Sequence, residues 1–136
     1  MRDAFELRIV TPRQLLFEEP VCEVTGPGTL GEFGVLPDHI TFLTSLEIGV
    51  MSFRSERGVR RVAIRGGFAE VADNVMTVLA DDAVFAEDVD AGAARADLQD
   101  ADAKLRGLSP LDETYPNLDT SRRWAQARFE AASAGR

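Results

Sequence analysis

The chain has 136 residues, 45% hydrophobic and 28% charged, a balance that excludes collagen-like, low-complexity and wholly disordered proteins. Its 23 acidic and 15 basic residues give a net charge of −8, which repels phosphate backbones and anionic lipid. Nucleic-acid binding and direct membrane insertion are therefore poor first readings, and no apolar run approaches the ~18 residues that span a bilayer.

The composition changes near residue 86. Val, Ile, Phe, Thr, Gly and Pro dominate before it; Ala, Asp and Arg dominate after it. This predicts a β-rich module over residues 1–86 and a helical one over 87–136. Phe5, Leu7 and Ile9 alternate with polar residues and predict the first strand. Val21 to Thr25 is a second, ending at the turn Gly26-Pro27-Gly28. Thr41 to Leu46, Ile48 to Phe53, Val62 to Ile64, Phe68 to Val71 and Val75 to Leu79 follow, with a hairpin turn at Ala72-Asp73-Asn74. Turns recurring every roughly ten residues suit a sandwich or barrel. With no intervening helices, all pairing is expected to be antiparallel.

In the second module Ala94, Leu98, Ala101, Leu105 and Leu108 form a seam at heptad spacing. Asp88 or Asp90 is placed to cap this helix, and Gly107 to end it. Ser109-Pro110 and Pro116 read as breakers. A second helix is expected from Asp119 or Thr120 to about Ala134, with Ala125, Phe129 and Ala132 as its seam and Leu118 just upstream. The two seams pair as an antiparallel hairpin. Alanine buries little area, so the hairpin is expected to be mobile or to lean on another surface.

Four features carry possible chemistry. Gly26-Pro27-Gly28-Thr29-Leu30-Gly31 matches Gly-x-Gly-x-x-Gly, but a dinucleotide site needs a helix to start there. Phe33-Gly34-Val35-Leu36-Pro37 is not that helix, so the segment reads as a turn-rich β-loop. His39 is the only histidine and Cys22 the only cysteine. With Asp38 alone beside His39, the three or four converging ligands of a metal site are missing. A hydrolase built on Cys22, Asp38 and His39 is a formal alternative. Cys22, however, lies in an alternating strand, where packing is the commoner role, and a single cysteine suits a reducing compartment. The acids Asp81, Asp82, Glu87, Asp88 and Asp90 lack calcium-loop spacing and read as solvated or capping groups. Arg122, Arg123 and Arg128 beside Trp124 give the last helix a basic, aromatic face that suits docking on an acidic partner.

The stretch Gly31-Glu32-Phe33-Gly34-Val35-Leu36-Pro37-Asp38-His39 resembles the signature of the epsilon subunit of bacterial F-type ATP synthase. Thr11-Pro12, Phe42 to Leu46, Ile48-Gly49, Gly66-Gly67-Phe68-Ala69-Glu70-Val71, Val75 to Ala80 and Glu87 to Asp90 extend the resemblance over nearly the whole chain. It implies a β-sandwich of about ten short strands followed by an antiparallel two-helix hairpin. It also implies a non-catalytic subunit of the central stalk, peripheral on the cytoplasmic face of the bacterial membrane. Such a subunit binds gamma and the c ring and couples ion flow to ATP synthesis. The hairpin can extend toward the alpha/beta catalytic head and restrain hydrolysis. Glu32 matches the family position in the loop that meets the c ring, with Gly31, Phe33 and His39 in the same signature. Gly31 and Gly34 are expected to let that backbone turn where a Cβ would clash.

The hairpin departs from the family. Members that bind ATP there carry an Asp followed three residues later by Arg-Ala. Here Asp90 is followed at that distance by Ala93, and Arg95-Ala96 comes two residues late, about 200° around a helix. No cofactor is expected on that ground. The alternative function is a stand-alone nucleotide-responsive sensor whose hairpin closes on its ligand.

Overall fold

A computed structural model describes residues 2–133. Eight strands come first: β1 (Phe5–Val10), β2 (Leu15–Val21), β3 (Glu23–Gly28), β4 (Gly31–Val35), β5 (Phe42–Ser55), β6 (Gly58–Ala72), β7 (Val75–Ala80) and β8 (Ala83–Phe85). A 3-10 turn (Ala86–Asp88) leads into two helices, α1 (Ala91–Arg106) and α2 (Tyr115–Ser133). The expected helix end at Ala134 lies outside the described residues. No helix among the described residues is long and apolar enough to cross a membrane.

The strands are hydrogen-bonded in the order β2-β1-β7-β6-β5-β3-β4, with β8 on β6. Laid flat, β2 and β5 would be about 19 Å apart, four strand spacings. Yet the Phe17 ring of β2 sits 4.8 Å from the Phe53 ring of β5, and 5.9 Å from that of Phe85. The sheet is therefore folded over on itself, and these rings help to fill the space between its two layers. Leu7, Ile9, Met51, Ile64, Met76 and Val78 complete that core with no exposed surface. Each such side chain contributes about 1.5–3 kcal/mol on burial.

The fold-over runs through the two longest strands. Leu46 pairs with Gly67 and Ile48 with Arg65, so Glu47 and Gly66 face each other at a bend. Gly66 and Gly67 have φ of +72° and +123°, values that an L side chain rarely adopts. Beyond the bend on one side β6 pairs with β7, and on the other with β8. This corrects the expected count of about ten short strands. Thr41 to Leu46 and Ile48 to Phe53 are halves of β5; Val62 to Ile64 and Phe68 to Val71 are halves of β6. The glycine pair bends the ladder without breaking it.

One further expectation changes, and one strand is added that the sequence did not announce. β1 pairs with β7 in parallel, because the long chain between them crosses through the other layer and needs no helix to do so. Leu15–Val21 is a strand despite Glu18, Glu19 and Pro20, since an edge strand tolerates charge and proline. The β6–β7 turn is as expected: Ala72 pairs with Val75, and Asp73 and Asn74 have φ of +52° and +63°, the signature of a type I′ hairpin.

The first helix follows its seam. Asp90 caps it, its carboxylate accepting a hydrogen bond from the Ala93 amide at 3.0 Å; Gly107 follows its last residue. Ala94 and Ala101 are buried, and Leu98, Leu105 and Leu108 are half-buried. The second helix begins four residues before Asp119, at Tyr115. Pro116 lies in its first turn, where the missing N–H has no helical partner to lose. Asp112 organises the preceding turn, accepting from both the amide and hydroxyl of Thr114 at 2.8 Å.

Gly67→Ala should destabilise the sandwich by about 3 kcal/mol or more, because a Cβ there would lie 2.0 Å from the Leu79 carbonyl oxygen. Gly107→Ala, with nothing within 4 Å of its Cβ position, should leave stability nearly unchanged. Urea unfolding of the two variants measures both effects.

Candidate functional site

The signature segment forms a hairpin rather than a loop. β3 and β4 pair from Val24↔Val35 to Gly28↔Gly31, leaving Thr29 and Leu30 as the tip. The turn thus falls two residues beyond the expected Gly26-Pro27-Gly28, which is strand. Gly31 has φ of +121°, as its turning role requires. Gly34 has no positive φ and lies in regular strand, so that expectation fails for it. Glu32 is exposed on β4 opposite Pro27, and Leu30 at the tip is 99% exposed. The Phe33 ring covers Gly26 and Gly28, where a Cβ would meet it at 2.7 and 3.0 Å. Phe33 then packs at a tilt against Phe42, ring centroids 5.5 Å apart, and Phe42 meets the His39 ring edge-on at 5.8 Å. The structure therefore brings Phe33 and His39 together through Phe42, with Glu32 and Gly31 on the neighbouring stretch of β4.

This end of the sandwich is pinned by Asn74. Its side chain accepts from the Asp38 amide and donates to the Ala4 carbonyl, both at 2.8 Å. Asp38, at φ of +61°, in turn accepts from the Arg2 amide at 2.9 Å. The hydrolase alternative does not assemble. His39 Nδ1 lies 2.8 Å from the Ile40 carbonyl near the start of β5. Cys22 lies near the other end of β5, its thiol 3.3 Å from the Arg54 carbonyl and 3.5 Å from the Arg54 Nε. It occupies the corner between β2 and β3, not the interior of an alternating strand. Among the described residues no three His, Cys, Asp or Glu side chains converge as metal ligands.

The basic residues of α2 expected to form a docking face are half-buried and paired within the chain. Arg123 pairs with Glu47 at the bend of β5. Arg122 reaches Asp119 at 3.0 Å and Gln126 at 3.2 Å. Arg128 reaches Asp97 of α1 at 3.3 Å and lies 5.5 Å over the Trp124 ring. Trp124 itself is half-buried against a small cluster of Ala63, Ala127 and Ala131. Through this cluster α2, with Ile48, Val50, Val84 and Ala86 beneath it, seats the hairpin on the sandwich. Its other face, Ala125 with Ala132 and half-buried Phe129, keeps the expected seam. Asp90 spends its carboxylate on the α1 cap, and Arg95 points to solvent. A cavity of about 330 Å³ between helices and sheet carries Arg65, Lys104 and Arg128 but also Asp97 and Asp100. A polyphosphate there would face two carboxylates.

Residues 4–86 match the family model described as the ATP synthase delta/epsilon chain β-sandwich domain. The ATP synthase epsilon chain of Nitratidesulfovibrio vulgaris strain DP4 is 46% identical over 134 residues, covering 98% of this chain and 94% of the relative. ATP synthase epsilon chain 2 of Syntrophotalea carbinolica is 37% identical over 135 residues, covering 99% and 98%. The chain belongs to the ATP synthase epsilon family. A chain in the mitochondrial ATP synthase of Euglena gracilis, solved as an assembly of OSCP, F1 and c-ring, superposes with a TM-score of 0.82. It is 27% identical, with 97% of this chain and 82% of that one covered. A chain from the Tetrahymena thermophila enzyme, at 17% identity and a TM-score of 0.63, shares the fold.

Two features of this epsilon chain escaped the sequence reading. The first is an apolar row across the outside of one layer. Ladder pairing sets Leu15 beside Val10, Val10 beside Leu79, and Leu79 beside Phe68. Leu15, Leu79 and Phe68 are 53–56% exposed. The four belong to four strands, and no local pattern announces them. The second is the pairing of Arg60 with Glu87, at the junction between sheet and helices. The Arg60 guanidinium stacks 4.0 Å over the Phe85 ring. Desolvation is the largest single influence on Glu87 and pushes its carboxyl upward. The hydrogen bonds from its own backbone and Arg60, with the Arg60 charge, together outweigh it and hold the group below the ordinary 4.5.

A carboxylate with a depressed folded pKa adds stability above its unfolded value, and loses it as pH falls through the folded one. The stability difference between the parent chain and Glu87→Gln should therefore be constant from pH 7 to about 5 and disappear progressively below the ordinary 4.5. Urea unfolding across that pH range checks it.

Proposed function

We propose that this epsilon chain is a non-catalytic rotor subunit of the ATP synthase central stalk, peripheral on the cytoplasmic face of the membrane. The sandwich, residues 1–86, contacts gamma and the c ring, and the hairpin, residues 87–136, is regulatory. The observation that carries the gamma contact is the row of exposed Leu15, Leu79 and Phe68 with half-buried Val10 among them. A rigid sheet presenting a contiguous apolar strip offers a hydrophobic interface core. Beside it run Arg8, Thr77, Glu70 and Leu43 in the next ladder row, a mixed rim that fixes register.

The c-ring contact is assigned to the β3–β4 end. Gly31 and Glu32 lie beside a fully exposed Leu30, and Phe33, Phe42 and His39 stiffen the support behind them. Glu32 offers a carboxylate to basic groups of the ring's polar loops.

The hairpin restrains ATP hydrolysis by a change of partner. When it is seated, Arg122, Arg123 and Arg128 are paired with Asp119, Glu47 and Asp97. Released from the sandwich, Arg123 and Trp124 become available to acidic residues of the alpha/beta head; opening of the hairpin adds Arg128, and Arg122 lies on the same helix. Two of the charges that would inhibit thus also hold the hairpin closed, Arg123 to the sandwich and Arg128 between its helices.

The test is reconstitution of an epsilon-free head containing gamma, with binding and ATP hydrolysis measured together. Phe68→Asp with Leu79→Asp should weaken binding at least about 30-fold, as expected for loss of an interface anchor. Arg122→Glu, Arg123→Glu and Arg128→Glu together should relieve inhibition while binding is retained. Unchanged binding in the first variant would move gamma to another face; unchanged inhibition in the second would remove the arginines from the mechanism.

A further inference from the structure

We infer that the hairpin pivots at Val89–Asp90, and that the 3-10 turn before it stays clamped to the sandwich by Arg60. This rests on the reading of the hairpin as a releasable element and fixes where the release occurs. Two systems of contacts meet in the junction, and they stop on either side of one peptide.

On the sandwich side, β8 is paired with Val62–Ile64 of β6, and Phe85 is buried among the core aromatics. Arg60 ties the next turn down. Its guanidinium lies 4.0 Å over Phe85 and 5.8 Å over Phe17, and it bonds the Glu87 carboxylate. The Val89 amide donates to the Ala86 carbonyl at 3.2 Å and closes the turn. On the helix side, Asp90 is already part of α1: its carbonyl accepts from Ala94 and its side chain from Ala93, both at 3.0 Å. Val89 and Asp90 themselves are extended, with φ near −80°. Rotation about these two residues breaks neither the Arg60 clamp nor the α1 cap. Rotation earlier, at Phe85–Ala86, carries Glu87 off the sandwich and breaks its pair with Arg60.

What release must break is separate. It is the seat of α2: the alanines 63, 127 and 131, the Trp124 contact and the Arg123–Glu47 pair.

The test uses the full chain with Cys22→Ser, so that introduced thiols stand alone. Ala127→Asp sets a carboxylate in the alanine seat and unseats α2. Trp124, the only tryptophan, should then show a red-shifted emission. Arg60→Cys and Glu87→Cys are added and joined by a short bis-maleimide. The pivot predicts the same red shift with and without the bridge. A bridge that suppresses the shift places the pivot before Glu87 and overturns the inference. An emission unmoved by Ala127→Asp, before any bridge is made, overturns the releasable hairpin and the pivot together.

Discussion

The hairpin is seated on the sandwich by alanine. Ala127 and Ala131 of α2 meet Ala63 of β6, and the larger neighbours Ile48, Val50, Val84 and Trp124 are only partly covered. An alanine methyl contributes about 0.8 kcal/mol on burial, well below a leucine or phenylalanine. The seat therefore lacks the apolar area that would make docking permanent. The short Ala seam between α1 and α2 adds no further anchor to the sheet. What directs the hairpin to this place is charge, through Arg123 and Glu47. Because that pair is partly exposed, its contribution is modest and screened by salt.

The sandwich is built in the opposite way. Its layers share β5 and β6, so no seam separates them, and the Phe17, Phe53 and Phe85 rings are packed where the sheet folds over. The charged groups of its outer face pair locally, as Arg8 does with Glu6 and Glu18 at 2.9 and 3.2 Å. This leaves the row from Leu15 to Phe68 as a contiguous apolar strip on a stiff support. A stiff body with an exposed apolar row and a lightly anchored appendage fits the proposed division into a contact module and a regulatory one.

Features set by neighbours in sequence were legible. Phe5, Leu7 and Ile9 alternate inward, Asp90 caps α1, Asp73-Asn74 makes the hairpin turn, and Ala94, Leu98 and Ala101 line a seam. Features set by distant neighbours were not. Gly66-Gly67 reads as a break, yet the ladder with β5 carries it through as a bend. β1 and β7 lie far apart in the chain, and their parallel pairing follows from closing the sandwich. Pro116 reads as a breaker because nothing in its own neighbourhood shows that the helix begins one residue earlier, at Tyr115. Of the candidate site, the signature segment was legible as a unit. That Arg123 and Arg128 are paired was not, because their partners Glu47 and Asp97 sit on other elements.

The contrast between the two parts is measurable in the undisturbed protein by native-state amide hydrogen exchange. Amides in α1 and α2 should exchange at least about a hundredfold faster than those of Val62, Ile64 and Val78 in the sandwich, with the gap widening as salt is raised. Equal protection in the helices and those strands, insensitive to salt, would mean that the alanine seat is as firm as the core. A hairpin so held could not be a lightly anchored, releasable element.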